Sequence, residues 1–533
     1  MDAKDPNIPK PPSDDASRRN IQRMHNYFAA CMDETQHINA GREPLKREIE
    51  EMVKIYRVPG SPITPRKGVT IKKDGITGQF FGNGWITFIS PPDEHYSASS
   101  EMDLSGVIGK LLRDGLVTFF KLSVDQDNDD PTLNRMSLGP GSVGLSAEVR
   151  ADPVKILAYE QLIGEMFFIL YATTDPVAGK DGTVPLVVPQ VWKDVANNVV
   201  EFEKDFAKFA GFRPQMDAGL RSQMGKKLLP VDEISRRTPS LDWITILRSV
   251  YSNGPDAPKE MVVHDEEYLK KLDALLSKTD RLTIQLFLAW SIIRQYGRFL
   301  DKAHRRNIDD YKQKSDDDQD NRAEFCYKKT LKIVPDIIGH YFVETTLSKP
   351  ARDKLEEIII TILESYSTSL QSQESHEWLE TSARKGALKK IENLVQVIGY
   401  SYSEPDNRSP SSIDQFYSGL DLDGQDHFGN QVRASEFWAK VEFETLNKKF
   451  DRMHMKDIPT KNNAYNRRNI NGVYFPAGVL QSPLFNVDFP EYLNYGGFGA
   501  TTGGHEITHT LDNYGVTFDE TGRSGSKVSA DRD

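Results

Sequence analysis

Across most of residues 20 to 400, apolar side chains recur at intervals of three and four, and this periodicity demands a mainly helical fold. One stripe runs Val191, Val195, Val199, Phe202, Phe206, roughly over 189–210 with Pro189 near its start. A second runs Leu282, Leu286, Ala289, Ile293, Tyr296, Leu300, and a third Leu355, Ile358, Ile359, Ile362, Leu363, Tyr366, Leu370. Such stripes are core faces and not cofactor-binding signatures. A chain of 533 residues buries a substantial core in at least two domains. Short Gly-rich hairpin signals occur near Lys73 to Ile86, and no internal repeat is visible.

The net charge of −11 gives no electrostatic footprint for a nucleic-acid partner. No stretch approaches the ~18 apolar residues of a membrane span. The most apolar segment, Leu162 to Ala172, is interrupted by Glu165 and reads as a core helix. The N-terminus is polar and Pro-rich, neither signal peptide nor anchor, and residues 1–18 are expected to be a disordered tail. Asp125, Asp127 and Asp129 imitate the start of a calcium loop, but Asp130 and Met136 stand where Gly and Glu are required, so a turn before Pro131 is expected. The acidic run Asp316 to Asp320 reads as a solvated loop, and the one glycosylation sequon, Asn407-Arg408-Ser409, is no more than chance supplies. Two cysteines, Cys31 and Cys326, are too few for a disulfide scaffold, and composition alone suggests buried free thiols.

After Ser401 the character changes. SYSEPDNRSPSS reads as a linker or loop, and residues 414 to 450 as helical. Asn463 to Leu480 reads as strand, turn, strand, with Asn471-Gly472 as the turn. Then comes His505-Glu506-Ile507-Thr508-His509. On a helix, residues four apart share a face, so both histidines can turn toward one Zn²⁺ with Glu506 beside the open coordination position. Gly503-Gly504 lets backbone pack closely ahead of the motif, and Asp512, three residues past His509, is placed to orient the imidazole.

The flanks carry a resemblance. In order stand Asp451-Arg452, Asn463-Ala464-Tyr465, the run Val473 to Phe485 (VYFPAGVLQSPLF), Asn494-Tyr495-Gly496-Gly497-Phe498-Gly499, and GGHEITHTLDNYG. Further matches are Cys31 in NYFAACMDE, LLRDGLVTFF, SLGPGSVGL, Leu241-Asp242-Trp243 and Val397-Ile398-Gly399-Tyr400. This series resembles the neprilysin and endothelin-converting enzyme family of zinc metalloendopeptidases (peptidase family M13) over about residues 24 to 520.

The resemblance implies an α+β, mainly α fold: a helical domain over residues 19–410 and an incomplete thermolysin-like zincin catalytic domain over 411–533. It implies one Zn²⁺ held by His505 and His509, oligopeptide substrates, and Glu506 as general base in hydrolysis. Substrate would add as a strand beside Asn463 and Ala464, with Val479 and Leu484 near the pocket for the residue after the cut bond. Thr501 and Thr502 replace apolar residues of the family pattern, which puts its large apolar preference in question. Cys31 and Cys326 would pair with each other, and the setting would be extracellular or membrane-associated.

The family's third zinc ligand, a Glu in an ENxxD motif on a later helix, has no counterpart before VSADRD. A metzincin ligand set fails as well, because Asp512 and Gly515 stand where Gly and His are needed. Two expectations follow: a C-terminally truncated zinc endopeptidase, or a non-catalytic peptide-binding relative that has lost the third ligand.

Overall fold

The structure, a computed structural model, describes residues 14–58, 61–63, 103–127, 130–177, 186–210, 227–251, 257–311, 321–372, 379–446, 448–455 and 458–525. The hairpin expected at 73–86, the acidic run 316–320 and Asp129 lie outside these residues.

The fold is mainly helical. Asp residues start many of the helices by accepting a backbone N–H: Asp14, Asp103, Asp242, Asp265, Asp280 and Asp426 all cap in this way. Each such cap contributes about 1 kcal/mol. Asp14 corrects the expectation for the N-terminus. Its side chain accepts from Ser17 N–H, so residues 15–18 form the first turn of helix Asp15–Met32 and are no disordered tail.

The largest core is built around helix Arg281–Tyr296, in which every residue from Ile284 to Ile293 is buried. Helices Glu43–Ile55, Leu104–Arg113, Pro153–Tyr171, Gln190–Ala210, Trp243–Val250 and Glu266–Lys278 pack around it. Gln285 donates to the Tyr56 carbonyl, and Trp290 to Tyr159, whose hydroxyl donates to Glu203. A small sheet of order β1-β2-β4-β3 lies against this core, formed by β1 (Phe120–Gln126), β2 (Asn134–Pro140), β3 (Lys227–Pro230) and β4 (Glu260–Val263). β1 and β2 pair antiparallel; Asp130–Leu133, with Pro131 and Thr132 at its centre, turns ahead of β2, and Asp127 is paired to Arg135, while residues 128–129 of the turn expected before Pro131 lie outside the described residues.

Helix Asp15–Met32 packs on Arg322–Ile333 and Pro410–Phe416 in a second apolar cluster, where Cys31 and Cys326 form a disulfide with Cα atoms 5.7 Å apart. Asn407 of the sequon is buried and donates to Asp336, which leaves no room for a glycan.

A third cluster supports the motif helix. It combines Leu355, Ile358 and Ile359 of helix Lys349–Gln371 with Val473, Phe475, Phe498 and Ile507. Strand β5 (Val395–Gly399) pairs parallel with β7 (Gly472–Pro476), and β6 (Tyr465–Arg467) pairs antiparallel with β7 at the sheet edge. Packing therefore crosses position 410 in both directions. Buried residues from Val343 to Leu370 and from Ala387 to Ile398 support the motif, while Phe428, Ala439 and Phe443 of helix His427–Glu444 return to the large helical core. A stripe reveals which face is buried but not against what.

Candidate metal and peptide site

The expected strand, turn and strand are β6, a short 3₁₀ turn at Arg468–Ile470, and β7. Asn471 takes the left-handed conformation at φ 51°, which Asn tolerates better than most residues. Asn463 is exposed and Ala464 buried, both just before β6. The hairpin is tied to the motif by Asn466, whose amide donates to the Glu506 carbonyl and Thr510 hydroxyl, each at 2.9 Å.

The motif helix begins in an unusual way. Tyr495–Gly504 winds as a wide π-helix and passes into the α-turn His505–Thr508. Close packing on helix Lys349–Gln371 explains two of its glycines. A Cβ at Gly503 would lie 2.9 Å from Ile359 Cδ1, and one at Gly499 3.4 Å from Ile358 Cγ2. Tyr366 of the same helix bonds Thr508 inside the motif. Thr502 is buried and Thr501 exposed, its hydroxyl turned back to the Gly497 carbonyl. Val479 is buried in the core beneath, and Leu484 is half-buried at its edge.

His505 is exposed and His509 half-buried. Their rings stand perpendicular, and the two Nε2 atoms are 3.0 Å apart. Two nitrogens at ~2.0–2.1 Å from a tetrahedral zinc are separated by about 3.3–3.4 Å, so the pair fits two corners of such a site after a small movement. Among the described residues no group of three or more His, Cys, Asp or Glu is placed to hold a metal ion. The histidines thus form half of a ligand set.

The half-site is held from behind. Asp512 Oδ2 lies 2.7 Å from His509 Nδ1 and accepts from Arg468 Nη2 at 2.6 Å. Its Oδ1 accepts the backbone N–H groups of Tyr514 and Gly515. Burial pushes the Asp512 carboxyl upward. The hydrogen bonds from Arg468, Gly515 and His509 outweigh that and hold it well below the usual carboxylate range. An ionised Asp512 can only accept, so His509 donates its Nδ1–H to it, which leaves the Nε2 lone pair of His509 for a metal. Burial raises the carboxyl of Glu506, opposed by both imidazoles. It stays basic enough to take a proton.

Three of these residues were not expected from the sequence. Arg468 stacks over Tyr514 at 5.1 Å while gripping Asp512. Asn466 was hidden in the strand. Lys390 is buried, and its ammonium donates to the carbonyls of Gly515 and Phe518 just past the motif. No sequence pattern singles out the Arg-Arg pair of the hairpin or the Lys of KKIE, and only the tertiary structure distinguishes them.

A zincin-type helix behind an edge strand, with a His pair supported by a carboxylate, defines a class of peptidase architecture, and the comparisons place the chain within it. Two sequence profiles described as Peptidase family M13 match residues 4–401 and 463–533, and the chain belongs to that family. Endothelin-converting enzyme 1 of Bos taurus is 27% identical over 294 residues, covering 54% of this chain and 38% of its own length. Neprilysin-11 of Caenorhabditis elegans is 23% identical over 424 residues, covering 76% of this chain and 48% of its own. The chain thus spans less than half the length of these curated relatives. The Mycobacterium tuberculosis zinc metalloprotease ZMP1, solved with an inhibitor, superposes with TM-score 0.71 at 22% identity, over 96% of this chain and 68% of that one. PEPO from Lactobacillus rhamnosis gives TM-score 0.69 at 19% identity, over 95% and 69%. The fold is therefore the thermolysin-like zincin fold of this family. Among the described residues no helix is long and apolar enough to cross a membrane.

Proposed function

We propose that these 533 residues act as a peptide-binding M13 protein whose zinc site is half-built, and that they do not turn peptide over by themselves. The observation that carries this is the paired Nε2 atoms of His505 and His509 without a third protein donor among the described residues. A catalytic zinc site normally has three protein ligands and one open position. In this reading a peptide lies along the free edge of β6, gripped by the Asn463 side chain and the Ala464 carbonyl as an added strand. Val479 and Leu484 belong to the same apolar wall and would bound a side-chain pocket there. The extracellular or membrane-associated setting remains part of the proposal.

A second reading is supported by the intact support around the half-site. With a third ligand supplied, the same residues would form a zinc endopeptidase for oligopeptides. Bound zinc would supply Lewis acidity, which polarises a carbonyl and makes water more acidic. His505 and His509 would hold it, Asp512 would keep His509 in the required tautomer, and Glu506 would accept a proton from water and pass it to the leaving amine. General acid–base help of this kind contributes about 10²–10⁴-fold.

The test is a quenched fluorescent peptide presented to residues 1–533, with anisotropy for binding and fluorescence for cleavage, with and without chelator. Binding without cleavage is expected, along with sub-stoichiometric zinc after dialysis. Chelator-sensitive cleavage that disappears in Glu506→Gln would overturn the proposal in favour of a complete enzyme.

A further inference from the structure

Two histidines are buried side by side against the N-terminal helices, and neither belongs to the half-site. His37, on helix Glu34–Ala40, and His427, at the start of helix His427–Glu444, stack with ring centroids 4.7 Å apart and planes 9° from parallel. They are 7% and 4% exposed. His37 is satisfied as a neutral ring: its Nε2–H donates to the Ala30 carbonyl, and its Nδ1 accepts from Arg322. Neither nitrogen of His427 has a hydrogen-bond partner among the described residues. The other contacts of its ring are aromatic, with Tyr27 at 5.9 Å and Phe299 at 5.8 Å between centroids.

The surroundings of the pair oppose a proton. Burial holds the His427 imidazole well below its ordinary value, and His37, Arg322, Arg305 and Lys329 push the same way. Burial lowers His37 as well; Arg322 and Arg305 add to it, against the Ala30 hydrogen bond and Glu34. Glu34 is exposed, Asp309 pairs with Arg305, and Asp426 caps its own helix and pairs with Arg433. An imidazolium has two N–H groups to place and no lone pair. At His427 it would meet no protein acceptor. At His37 it would lose the bond from Arg322 and face that guanidinium. The neighbouring contacts behave differently in acid. Arg19 and Arg23 hold Asp414 below the ordinary carboxylate range, and His304 lies between Asp301 and Asp175, where a proton strengthens the contact.

We propose that the stacked pair is an acid-sensitive latch: protonation of His427 and His37 frees the segment around residues 30–41 from helix Arg322–Ile333 and helix His427–Glu444. The Cys31–Cys326 disulfide, with both cysteines 0% exposed, ties that segment to the body, so the opening is local and reversible. Linkage gives the sign. In the opened state each ring titrates near its ordinary value of about 6.5, whereas the closed state keeps it neutral. The latch is therefore at full strength above about pH 6.5 and weakens as pH falls below it. By pH 5 one histidine raises the opened fraction by up to about 30-fold.

The experiment reads access to the buried disulfide with a water-soluble phosphine, which reduces disulfides in acid as well as at neutral pH. The full chain is treated at pH 5.0 and 7.5, the freed thiols are counted by mass, and rates are normalised to an exposed small-molecule disulfide. Reduction about 10-fold or more faster at pH 5.0 is expected. His427→Phe keeps an aromatic ring in the stack and removes both nitrogens, so that ratio should drop about threefold or more. Amide exchange, corrected for its intrinsic pH dependence, should quicken in acid at residues 30–41 and not in the core helix Arg281–Tyr296. Should His427→Phe fail to fold, wild-type exchange decides. Equal normalised rates at the two pH values, an unchanged ratio in His427→Phe, or equal acceleration in the core helix would refute the latch.

Discussion

Lys390→Met isolates what fastens the segment behind the half-site. The ammonium donates to the Gly515 and Phe518 carbonyls, and its position beyond Asp512 links it to the loop that orients His509. Hydrogen bonds from a charged group contribute about 1.5–3 kcal/mol each, so the pair is worth roughly 3–6 kcal/mol. Burial works the other way, lowering the lysine from 10.5 to about 8. At about 1.4 kcal/mol per unit, keeping the charge buried costs roughly 3 kcal/mol. Methionine removes both effects, so the net loss in global stability lies between about zero and 3 kcal/mol. The local effect is larger, because two carbonyls lose their donor. Amide exchange across residues 509–518 should therefore accelerate, up to about 10²-fold for 3 kcal/mol. The pH profile supplies the sign. Between about pH 8 and 10.5 the unfolded chain holds the lysine proton and the folded chain does not, so wild-type stability rises with pH across that window. Lys390→Met should lack that rise. Denaturant unfolding at pH 8, 9 and 10 together with hydrogen exchange tests both points. Parallel pH profiles and unchanged exchange at 509–518 would refute the role assigned to Lys390.

Asp512→Asn should weaken zinc about 10–100-fold in competition with a chromophoric chelator, because the imidazole loses the anion that fixes its tautomer; equal affinity would show that Arg468 and the backbone suffice. Gly515→Ala places a Cβ 2.2 Å from the His509 carbonyl and 2.5 Å from that of Thr510, so backbone must move; a stability loss of about 1–3 kcal/mol or more by urea unfolding is expected, and an unchanged midpoint would contradict the packing. Replacing Cys31 and Cys326 together by Ser opens a link spanning 295 residues, for which chain entropy sets a loss of about 6 kcal/mol; the variant should unfold at clearly lower denaturant, as reduction of the wild type should.

The helical stripes were legible because burial imposes a period on each helix. The stripe from Leu355 to Leu370 falls in helix Lys349–Gln371, and that from Val191 to Phe206 in Gln190–Ala210. The hairpin was legible because Asn471, ahead of Gly472 at the start of β7, suits the positive φ it adopts there. Partner choice was not legible. Nothing in the period of Leu355, Ile358 and Ile359 says that they meet Gly503 and Phe498 over a hundred residues later. The N-terminal boundary was misplaced because polar composition masked the Asp14 cap. Asp512 could be read beside His509 because one helical turn separates them, whereas Arg468 reaches the same carboxylate across the fold from a separation of 44 residues. Lys390 was not legible because its two acceptors are backbone carbonyls, which leave no trace in sequence.

The organisation around His509 separates two properties that a completed zinc site would combine. Asp512, which orients this imidazole, uses both oxygens, one on His509 and Arg468 and the other on two backbone N–H groups. The orientation therefore needs no metal to impose it, since the hydrogen bonds exist within the chain. Affinity is a different matter, because it depends on the number of donors that displace water from the ion. A preformed pair with two donors should bind zinc weakly yet show the same tautomer with and without it. The ¹⁵N chemical shifts of the His509 ring report this directly: protonated Nδ1 and bare Nε2 in metal-free protein are expected at pH 8. A mixture of tautomers before zinc addition would mean that the metal, and not Asp512, arranges the site.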